Sequence, residues 1–293
     1  MKTKTFQFVN RLAVLAFVVN YTIGFNACSS DDNSTIDEIL SKETTPIDFE
    51  FSGYSLFYGT DNVLFDYAGN NLVGSDTNSQ TSCTLNLRQG KHKLIWINGL
   101  WPTFPLSMDT DEKKKSGVYY DPKTKTITNN YMDGNTGHVI VYCEKNLEVT
   151  PYLLPSQKTE YKHITCELNI EVTDNARWLS SQTEPKGRIT GIPSVASVSL
   201  VGNEYKLNDV MLPSDSIRRY ESNYPRWFML CPTDGLDNIQ PIAEIIDKNG
   251  NAIPTTSMPK FSLRRGYTTT VRGPLLSGSS SDWTVTMEPY KEY

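Results

Sequence analysis

Histidine and cysteine are scarce in this sequence, and basic residues do not outnumber acidic ones. The 293 residues include three His and five Cys, too few for a metal scaffold built on repeated Cys and His ligands. Lys and Arg total 28 against 33 Asp and Glu, which gives a formal net charge of -5. Proteins that bind nucleic acid normally carry a basic patch. The composition therefore argues against a nucleic-acid partner.

The sequence also lacks the short motifs that position catalytic groups. It contains no H-E-x-x-H, G-x-S-x-G, P-loop or G-x-G-x-x-G pattern. The acidic run at 109–112 lacks the spacing of a calcium loop, and three lysines follow it directly, so we interpret it as a solvated loop. A β-sandwich hydrolase that pairs two carboxylates in space is the least favoured alternative. We predict a non-enzymatic protein with no catalytic residue, metal site or cofactor.

No apolar run is long enough to span a membrane as a helix, but the N-terminus carries a shorter one. Residues 12–19 are apolar and follow Lys2, Lys4 and Arg11, whereas a spanning helix needs about 20 apolar residues. A positive segment followed by a short apolar run is typical of a secretory signal peptide. We therefore predict that residues 1–27 are a signal peptide that is removed.

The end of this segment reads Phe-Asn-Ala-Cys, with Cys28 last. A small residue directly before a cysteine resembles a bacterial lipobox, which implies cleavage before Cys28 and attachment of lipid to it. The alternative is an ordinary signal peptide that a cysteine happens to follow. Ser29 and the acidic pair at 31–32 resemble the surface-export signal of lipoproteins from the Bacteroidetes phylum, which implies a lipid-anchored, surface-exposed protein of the outer membrane. The polar residues 28–45 are predicted to form a flexible tether.

Alternating apolar residues dominate the rest of the chain, and helical periodicity is rare. The longest alternating row is Ile164, Cys166, Leu168, Ile170 and Val172. Shorter rows occur at 83–87, 92–96, 139–143 and 283–287. Period two is the signature of half-buried antiparallel strands. We therefore predict an all-β protein with few helices and roughly fourteen strands.

Turn and linker signals divide this pattern. Asn249-Gly250 is the strongest hairpin signal, because both residues tolerate positive φ. Residues 154–158 read Leu-Pro-Ser-Gln-Lys, which is a linker-like composition, and the longest alternating row begins shortly after them. We predict two tandem antiparallel β-sandwich domains, residues 46–156 and 157–293.

Four cysteines remain once Cys28 is assigned to lipid: Cys83, Cys143, Cys166 and Cys231. An even number in an exported chain allows two disulfides, with three connectivities. Each of the four also lies in an apolar strand pattern, and unpaired cysteine is among the most buried residue types. Buried thiols and disulfides both stay open at this stage.

Two tryptophans flank the Asn-Gly pair at 98–99. Trp96 alternates with Leu94, which predicts a core position. Trp101 precedes a proline and is the better candidate for an exposed ring. Amphipathic aromatic rings beside polar loops suit binding surfaces that are apolar and wet at once. Trp101 is therefore the candidate glycan-stacking residue.

Two segments resemble a known family. Residues 87–98 read LRQGKHKLIWIN and resemble the strand, glycine and strand of the first domain of Bacteroidales fimbrillin-like lipoproteins. Residues 259–276 read PKFSLRRGYTTTVRGPLL and are similar to the penultimate hairpin of their second domain. The resemblance implies two transthyretin-like sandwiches with Greek-key connections. It also implies fimbrial subunits that join by adding a strand to a partner.

The N-terminal region departs from the pattern of the family's shaft subunits, which generally mature by cleavage after a basic residue. No Arg lies between Cys28 and Arg88, and Lys42 is the one basic residue well placed before the first expected strand, 47–51. Lys42 is therefore the candidate maturation site. The departure favours an uncleaved anchor or accessory subunit that keeps its lipid.

The sequence thus predicts a cell-surface lipoprotein with a structural or adhesive fimbrial role. Its expected partners are other fimbrial subunits, the membrane through the lipid, and ligands on host or bacterial surfaces. The alternative is a glycan-binding outer-membrane lipoprotein of a polysaccharide uptake system, in which Trp101 stacks on sugar. Asp215-Ser216-Ile217 resembles the short O-glycosylation sequon of this phylum, which makes Ser216 the candidate modification site, with a simple turn as the alternative.

Overall fold

β-Strands joined by turns make up nearly all of the described chain. The computed structural model describes residues 40–52, 62–78, 82–100, 117–130, 136–152, 156–174, 186–208, 226–247 and 249–290. The one helical element among these residues is a short 3-10 turn at Ser280–Asp282. None of them lies in a helix with the length and apolarity of a membrane span. The all-β prediction is confirmed.

The described residues contain 21 strands, several of them only two to four residues long. The first ten are β1 Thr44–Ser52, β2 Asn62–Ala68, β3 Asn71–Asn78, β4 Ser82–Arg88, β5 Gly90–Asn98, β6 Val118–Asp121, β7 Thr126–Asn129, β8 Val141–Val149, β9 Ser156–Glu160 and β10 Lys162–His163. The others are β11 Thr165–Val172, β12 Lys186–Thr190, β13 Ser194–Ser199, β14 Tyr205–Asn208, β15 Arg226–Leu230, β16 Leu236–Ile239, β17 Ile242–Ile246, β18 Ala252–Ile253, β19 Phe261–Leu263, β20 Tyr267–Gly273 and β21 Thr284–Pro289. The number of strands exceeds the roughly fourteen that the sequence predicts. A strand of two to four residues is too short to show a recognisable alternation of apolar and polar residues.

A five-stranded sheet, β10-β8-β5-β2-β3, forms a central layer with buried residues on both faces. All seven residues of β2 are buried. One face packs against the sheet β4-β1-β9, where Ile47 and Phe49 meet Leu64, Leu94 and Trp96. Trp96 is 1% exposed, so its predicted core position is confirmed.

The other face of the central sheet packs against the sheet β14-β13-β7-β6. The rings of Phe65 and Tyr120 lie 4.5 Å apart, and the hydroxyls of Tyr67 and Tyr120 are 2.9 Å apart. Strands covered on both faces are apolar on both faces. This explains why β2 does not show the clean alternation of a half-buried strand.

The remaining strands extend the same hydrophobic core. They form the sheets β15-β11-β20-β21, β12-β17-β18 and β16-β19. The alternating row Ile164, Cys166, Leu168 and Ile170 is buried in one cluster with Phe65. The predicted face of this strand is therefore confirmed.

Strand ladders cross the predicted domain boundary at residues 156 and 157. β9 begins at Ser156 and lies parallel to β1, with Ser156 opposite Asp48. β7 pairs antiparallel with β13, with Ile127 opposite Val198. The division into two domains stays a prediction. If the boundary is placed there, the β1-β9 and β7-β13 ladders join one domain to the other.

Consecutive strands do not always pair with each other. The hairpins β6-β7 and β17-β18 both form, and Gly250, in the turn predicted from Asn249-Gly250, has a φ of 86°. By contrast, β4 and β5 are separated only by Gln89 yet belong to different sheets. β19 and β20, which are also consecutive in sequence, belong to different sheets as well. The expected hairpin at 259–276 is therefore a crossing between two sheets.

Candidate functional site at the N-terminal strand and the C-terminal sheet edge

One of the four candidate residues from the sequence lies within the described part of the chain. Cys28, Trp101 and Ser216 lie outside it, so their roles stay predictions. Lys42 is exposed and lies two residues before β1 begins at Thr44. No group of three or more His, Cys, Asp or Glu residues in the described part is arranged to hold a metal ion.

The backbone around Lys42 is bonded on both sides to the end of β4. The Ser41 amide donates to the Gln89 carbonyl at 2.8 Å, and the Gln89 amide donates to the Glu43 carbonyl at 2.8 Å. The Arg88 guanidinium donates to the carbonyls of Ser41 and Leu40, each at 2.7 Å. The segment therefore continues the β1-β4 ladder beyond the strand itself, although the Lys42 side chain faces solvent.

β1 is the central strand of its three-stranded sheet. It pairs antiparallel with β4 and parallel with β9. Its inward side chains Ile47 and Phe49 are fully buried, and the rings of Phe49 and Phe51 lie 5.0 and 5.3 Å from that of Trp96. Loss of this strand would unpair two neighbours and uncover the apolar cluster beneath it.

Among the described residues, β21 forms an open sheet edge. β21 is the outermost strand of the sheet β15-β11-β20-β21, and all six of its residues are exposed. Val285 and Met287 are 40% and 38% exposed, although Val271 and Thr269, directly opposite them on β20, are fully buried. Opposite residues share a face. The core-facing side of β21 is therefore apolar and incompletely covered.

A buried tryptophan and a half-buried tyrosine hold β21 at its two ends. Trp283, 7% exposed, lies over Gly273, where a Cβ atom would overlap the indole ring. At the other end the Tyr290 amide donates to the Gly266 carbonyl at 2.8 Å, and the Tyr290 ring lies 4.7 Å from that of His163. β21 is thus fixed in position while its middle stays open to a partner.

One buried charged pair, Asp66 and His92, resembles a catalytic dyad at first sight. His92 Nδ1 lies 2.8 Å from Oδ1 of Asp66, and Nε2 lies 2.7 Å from the Arg88 carbonyl. Both partners can accept hydrogen bonds, so the arrangement favours an imidazole with hydrogen on both ring nitrogens, which raises the pKa of His92. We interpret the pair as a buried structural contact between β2 and β5.

Sequence reasoning missed the open edge at β21. The alternation of Trp283, Val285 and Met287 predicts a half-buried strand, and only Trp283, just before the strand, is buried. The sequence did not indicate that Asp66 and His92 are buried together, because they are 26 residues apart and no local pattern connects them.

No protein-family model and no curated protein sequence matches the chain. Solved structures from Bacteroidales are similar to it at low sequence identity. A candidate cell adhesion protein from Bacteroides uniformis shares 11% identity over 85% of this chain and 99% of its own, with a TM-score of 0.45. The tip fimbrial protein Mfa3 from Porphyromonas gingivalis shares 10% over 84% and 100%, with a TM-score of 0.44.

A candidate polysaccharide-binding protein from Bacteroides thetaiotaomicron shares 8% identity over 86% of this chain and 99% of its own, with a TM-score of 0.46. At such scores and identities the likeness does not establish a common function.

Proposed function

We propose that the protein is a lipid-anchored surface subunit of a fimbrium that keeps its N-terminal segment, as an anchor or accessory subunit. The central position of β1 between β4 and β9 carries this proposal. A strand that leaves during maturation needs to be separable at low cost, and β1 is paired on both sides over a buried apolar face. Retention of β1 keeps the chain continuous from the fold to the lipid on Cys28.

The surroundings of Lys42 support the same proposal. A protease needs an accessible, extended backbone, and the carbonyls of Leu40, Ser41 and Glu43 already accept hydrogen bonds from β4 and Gln89. Cleavage there therefore requires local opening of the segment first. The similar structures include a candidate cell adhesion protein and a fimbrial tip protein. The support for a structural role comes from the pairing of β1 and from the contacts around Lys42.

The open edge at β21 supports strand addition as the way in which the subunit joins others. A partner strand beside β21 would extend the sheet β15-β11-β20-β21 and cover Val285 and Met287. Backbone hydrogen bonds supply affinity in this mode, and alternate side chains supply specificity. We propose this edge as the contact with a neighbouring fimbrial subunit.

Lipid retention is tested by metabolic labelling of the source bacterium with an alkyne fatty acid, followed by mass spectrometry of the mature N-terminus. We expect label on Cys28, a membrane-bound protein and a chain that still contains Lys42. Cys28→Ser is the matched control and should abolish the label. A mature, lipid-free protein that begins at residue 43 would identify a cleaved shaft subunit and overturn the proposal.

The partner surface is tested with a photo-crosslinking amino acid placed at Val285 or Met287 in living cells. We expect cross-links to another fimbrial subunit, because a strand added at this edge contacts these positions. The control position is Tyr152, which is 94% exposed in a turn between β8 and β9. Equal cross-linking from Tyr152 would show that the β21 edge has no special role.

The glycan-binding alternative rests on Trp101, which lies outside the described residues. Within the described ranges, the contacts between aromatic rings all involve core or half-buried residues. None of these contacts forms an exposed aromatic platform on which a sugar could stack. The fimbrial proposal is therefore the better supported.

A further inference from the structure

Two of the cysteines, Cys166 and Cys231, lie side by side in the hydrophobic core. Both are fully buried. β11 pairs antiparallel with β15 so that Cys166 lies opposite Met229, and the Cys231 amide donates to the Ile164 carbonyl at 2.8 Å. Met229 and Cys231 are two residues apart on one extended segment, so they share a face with Cys166. The two thiols are diagonal neighbours on the same side of the sheet.

The two sulfur atoms lie within hydrogen-bonding reach of each other. Cys166 Sγ also lies 3.8 Å from the Met229 carbonyl, and Cys231 Sγ lies 3.9 Å from the Leu263 carbonyl. These contacts with backbone carbonyls of neighbouring segments hold both cysteine side chains in place. Diagonal neighbours on antiparallel strands have Cβ atoms about 7 Å apart or less, whereas a disulfide needs about 3.5–4.5 Å. Formation of the bond therefore requires a backbone shift that brings β11 and the segment after β15 closer together.

The electrostatic surroundings make the two thiols unequal. The hydrogen bond between them lowers the pKa of Cys231, and the nearby charge of Arg265 lowers it further against the effect of burial. The same hydrogen bond, together with burial, raises the pKa of Cys166. Arg265 is fixed beside the pair because its Nε donates to the Cys231 carbonyl at 2.6 Å. The positive charge of Arg265 beside Cys231 therefore favours Cys231 as the thiolate that attacks first.

We propose that Cys166 and Cys231 form a disulfide bond in the exported protein, which joins β11 to the segment after β15. All four described cysteines are reduced in the structure, so the bond requires an oxidising compartment. The signal peptide predicted at residues 1–27 would deliver the chain to one. The inference goes beyond the fimbrial proposal and holds for any exported role of this fold.

The chemistry is thiol-disulfide exchange with a disulfide oxidant, either a small molecule or a protein. The Cys231 thiolate attacks one sulfur of the oxidant, whose disulfide breaks and releases one thiolate. Cys166 then loses its proton and attacks the Cys231 sulfur, and the second oxidant sulfur leaves as a thiolate. Two cysteine thiols lose two electrons and two protons in total, and the oxidant becomes two thiols.

Burial determines when this exchange takes place. An oxidant cannot reach either sulfur in the folded protein, because neither is exposed. Exchange therefore occurs while the chain folds, or through a local opening of β15 from β11. We expect folded, reduced protein to oxidise slowly, and unfolded protein to acquire the bond during refolding in a glutathione redox buffer.

The test is peptide mapping of the full-length protein without reduction. Trypsin places Cys166 in peptide 163–177, Cys231 in 227–248, Cys83 in 43–88 and Cys143 in 126–145. After refolding in oxidised and reduced glutathione, and after isolation from the cell envelope, we expect 163–177 linked to 227–248. The linked species should disappear on reduction, and the oxidised protein should unfold at a higher temperature than the reduced one.

Two variants separate this bond from other effects. Cys166→Ala should abolish the linked peptide and the difference in unfolding temperature between oxidised and reduced protein. Cys143→Ala removes another buried cysteine, 1% exposed, and should leave both results unchanged. Recovery of 163–177 and 227–248 as alkylated thiol peptides from wild-type protein, in both preparations, would overturn the proposal. So would a link from either peptide to Cys83 or Cys143, and neither result depends on a variant that folds.

Discussion

His92 and Asp66 form an ion pair inside the central layer, with the ring nitrogen 2.8 Å from the carboxylate and both residues about 4% exposed. Burial alone lowers the pKa of His92, but the hydrogen bond and charge of Asp66, together with the Arg88 carbonyl, outweigh it and raise that pKa above its ordinary value. The pair links β2 to β5 in the sheet that both neighbouring layers cover. Its protonation is therefore tied to the stability of the whole central layer.

The raised pKa predicts a specific dependence of stability on pH. A histidine whose pKa is higher in the folded state contributes stability that is fully present below its unfolded pKa of about 6.5 and lost as pH rises through the folded value. The free energy of unfolding of the wild type, minus that of His92→Gln, should therefore be largest below about pH 6 and fall as pH rises. Urea unfolding at a series of pH values measures this difference.

His163 supplies a control of opposite sign. Burial lowers the pKa of His163, so its contribution is present above pH of about 6.5 and lost as pH falls. The difference between wild type and His163→Gln should therefore shrink toward acid pH, whereas that for His92→Gln should grow. Parallel curves for the two variants would show that the His92 pair does not titrate as its contacts indicate.

Phe49 tests the importance of β1 for the fold. Its ring is fully buried and lies 5.0 Å from that of Trp96. Phe49→Ala should lower the free energy of unfolding by about 3–5 kcal/mol, because a buried phenylalanine leaves a cavity between two sheets. The neighbouring exposed residue gives the control, since Glu50→Ala should change stability by less than about 0.5 kcal/mol. Equal effects in urea unfolding would contradict the central position of β1.

Arg88 should govern proteolysis at Lys42. Its guanidinium donates to the carbonyls of Leu40 and Ser41, and hydrogen bonds from charged groups contribute about 1.5–3 kcal/mol. Arg88→Gln should raise the initial rate of tryptic cleavage after Lys42 by about tenfold or more, as measured by mass spectrometry in short digests. Lys91→Gln, which removes a nearby exposed charge, is the matched control. An unchanged rate in Arg88→Gln would show that these bonds do not protect the segment.

Gly273 and Trp283 should be energetically coupled. A Cβ atom at position 273 would overlap the indole of Trp283, so Gly273→Ala should cost about 1–3 kcal/mol through overpacking. In a Trp283→Ala background the same change should cost much less, because the ring is absent. A double-mutant cycle in urea unfolding gives the coupling. Equal costs in the two backgrounds would mean that the glycine is needed for another reason.

The sequence by itself determined the fold class and the face on which many side chains lie. The alternation of Leu94 with Trp96, and the row from Ile164 to Ile170, correctly predicted core positions. These patterns are local, because successive side chains of any strand point to opposite faces. The turn at Asn249-Gly250 was predictable for the same reason, since its conformation depends on the residues within it.

Only the tertiary structure decided which strands pair. β4 and β5 adjoin in sequence yet enter different sheets, β1 takes β9 as a parallel neighbour, and β21 is left open at an edge. Backbone hydrogen bonds are the same for every residue, so the pairing partner is selected by long-range packing and not by local sequence. The same reason explains why Asp66 could not be matched with His92, nor Cys166 with Cys231, before the sheets were assembled.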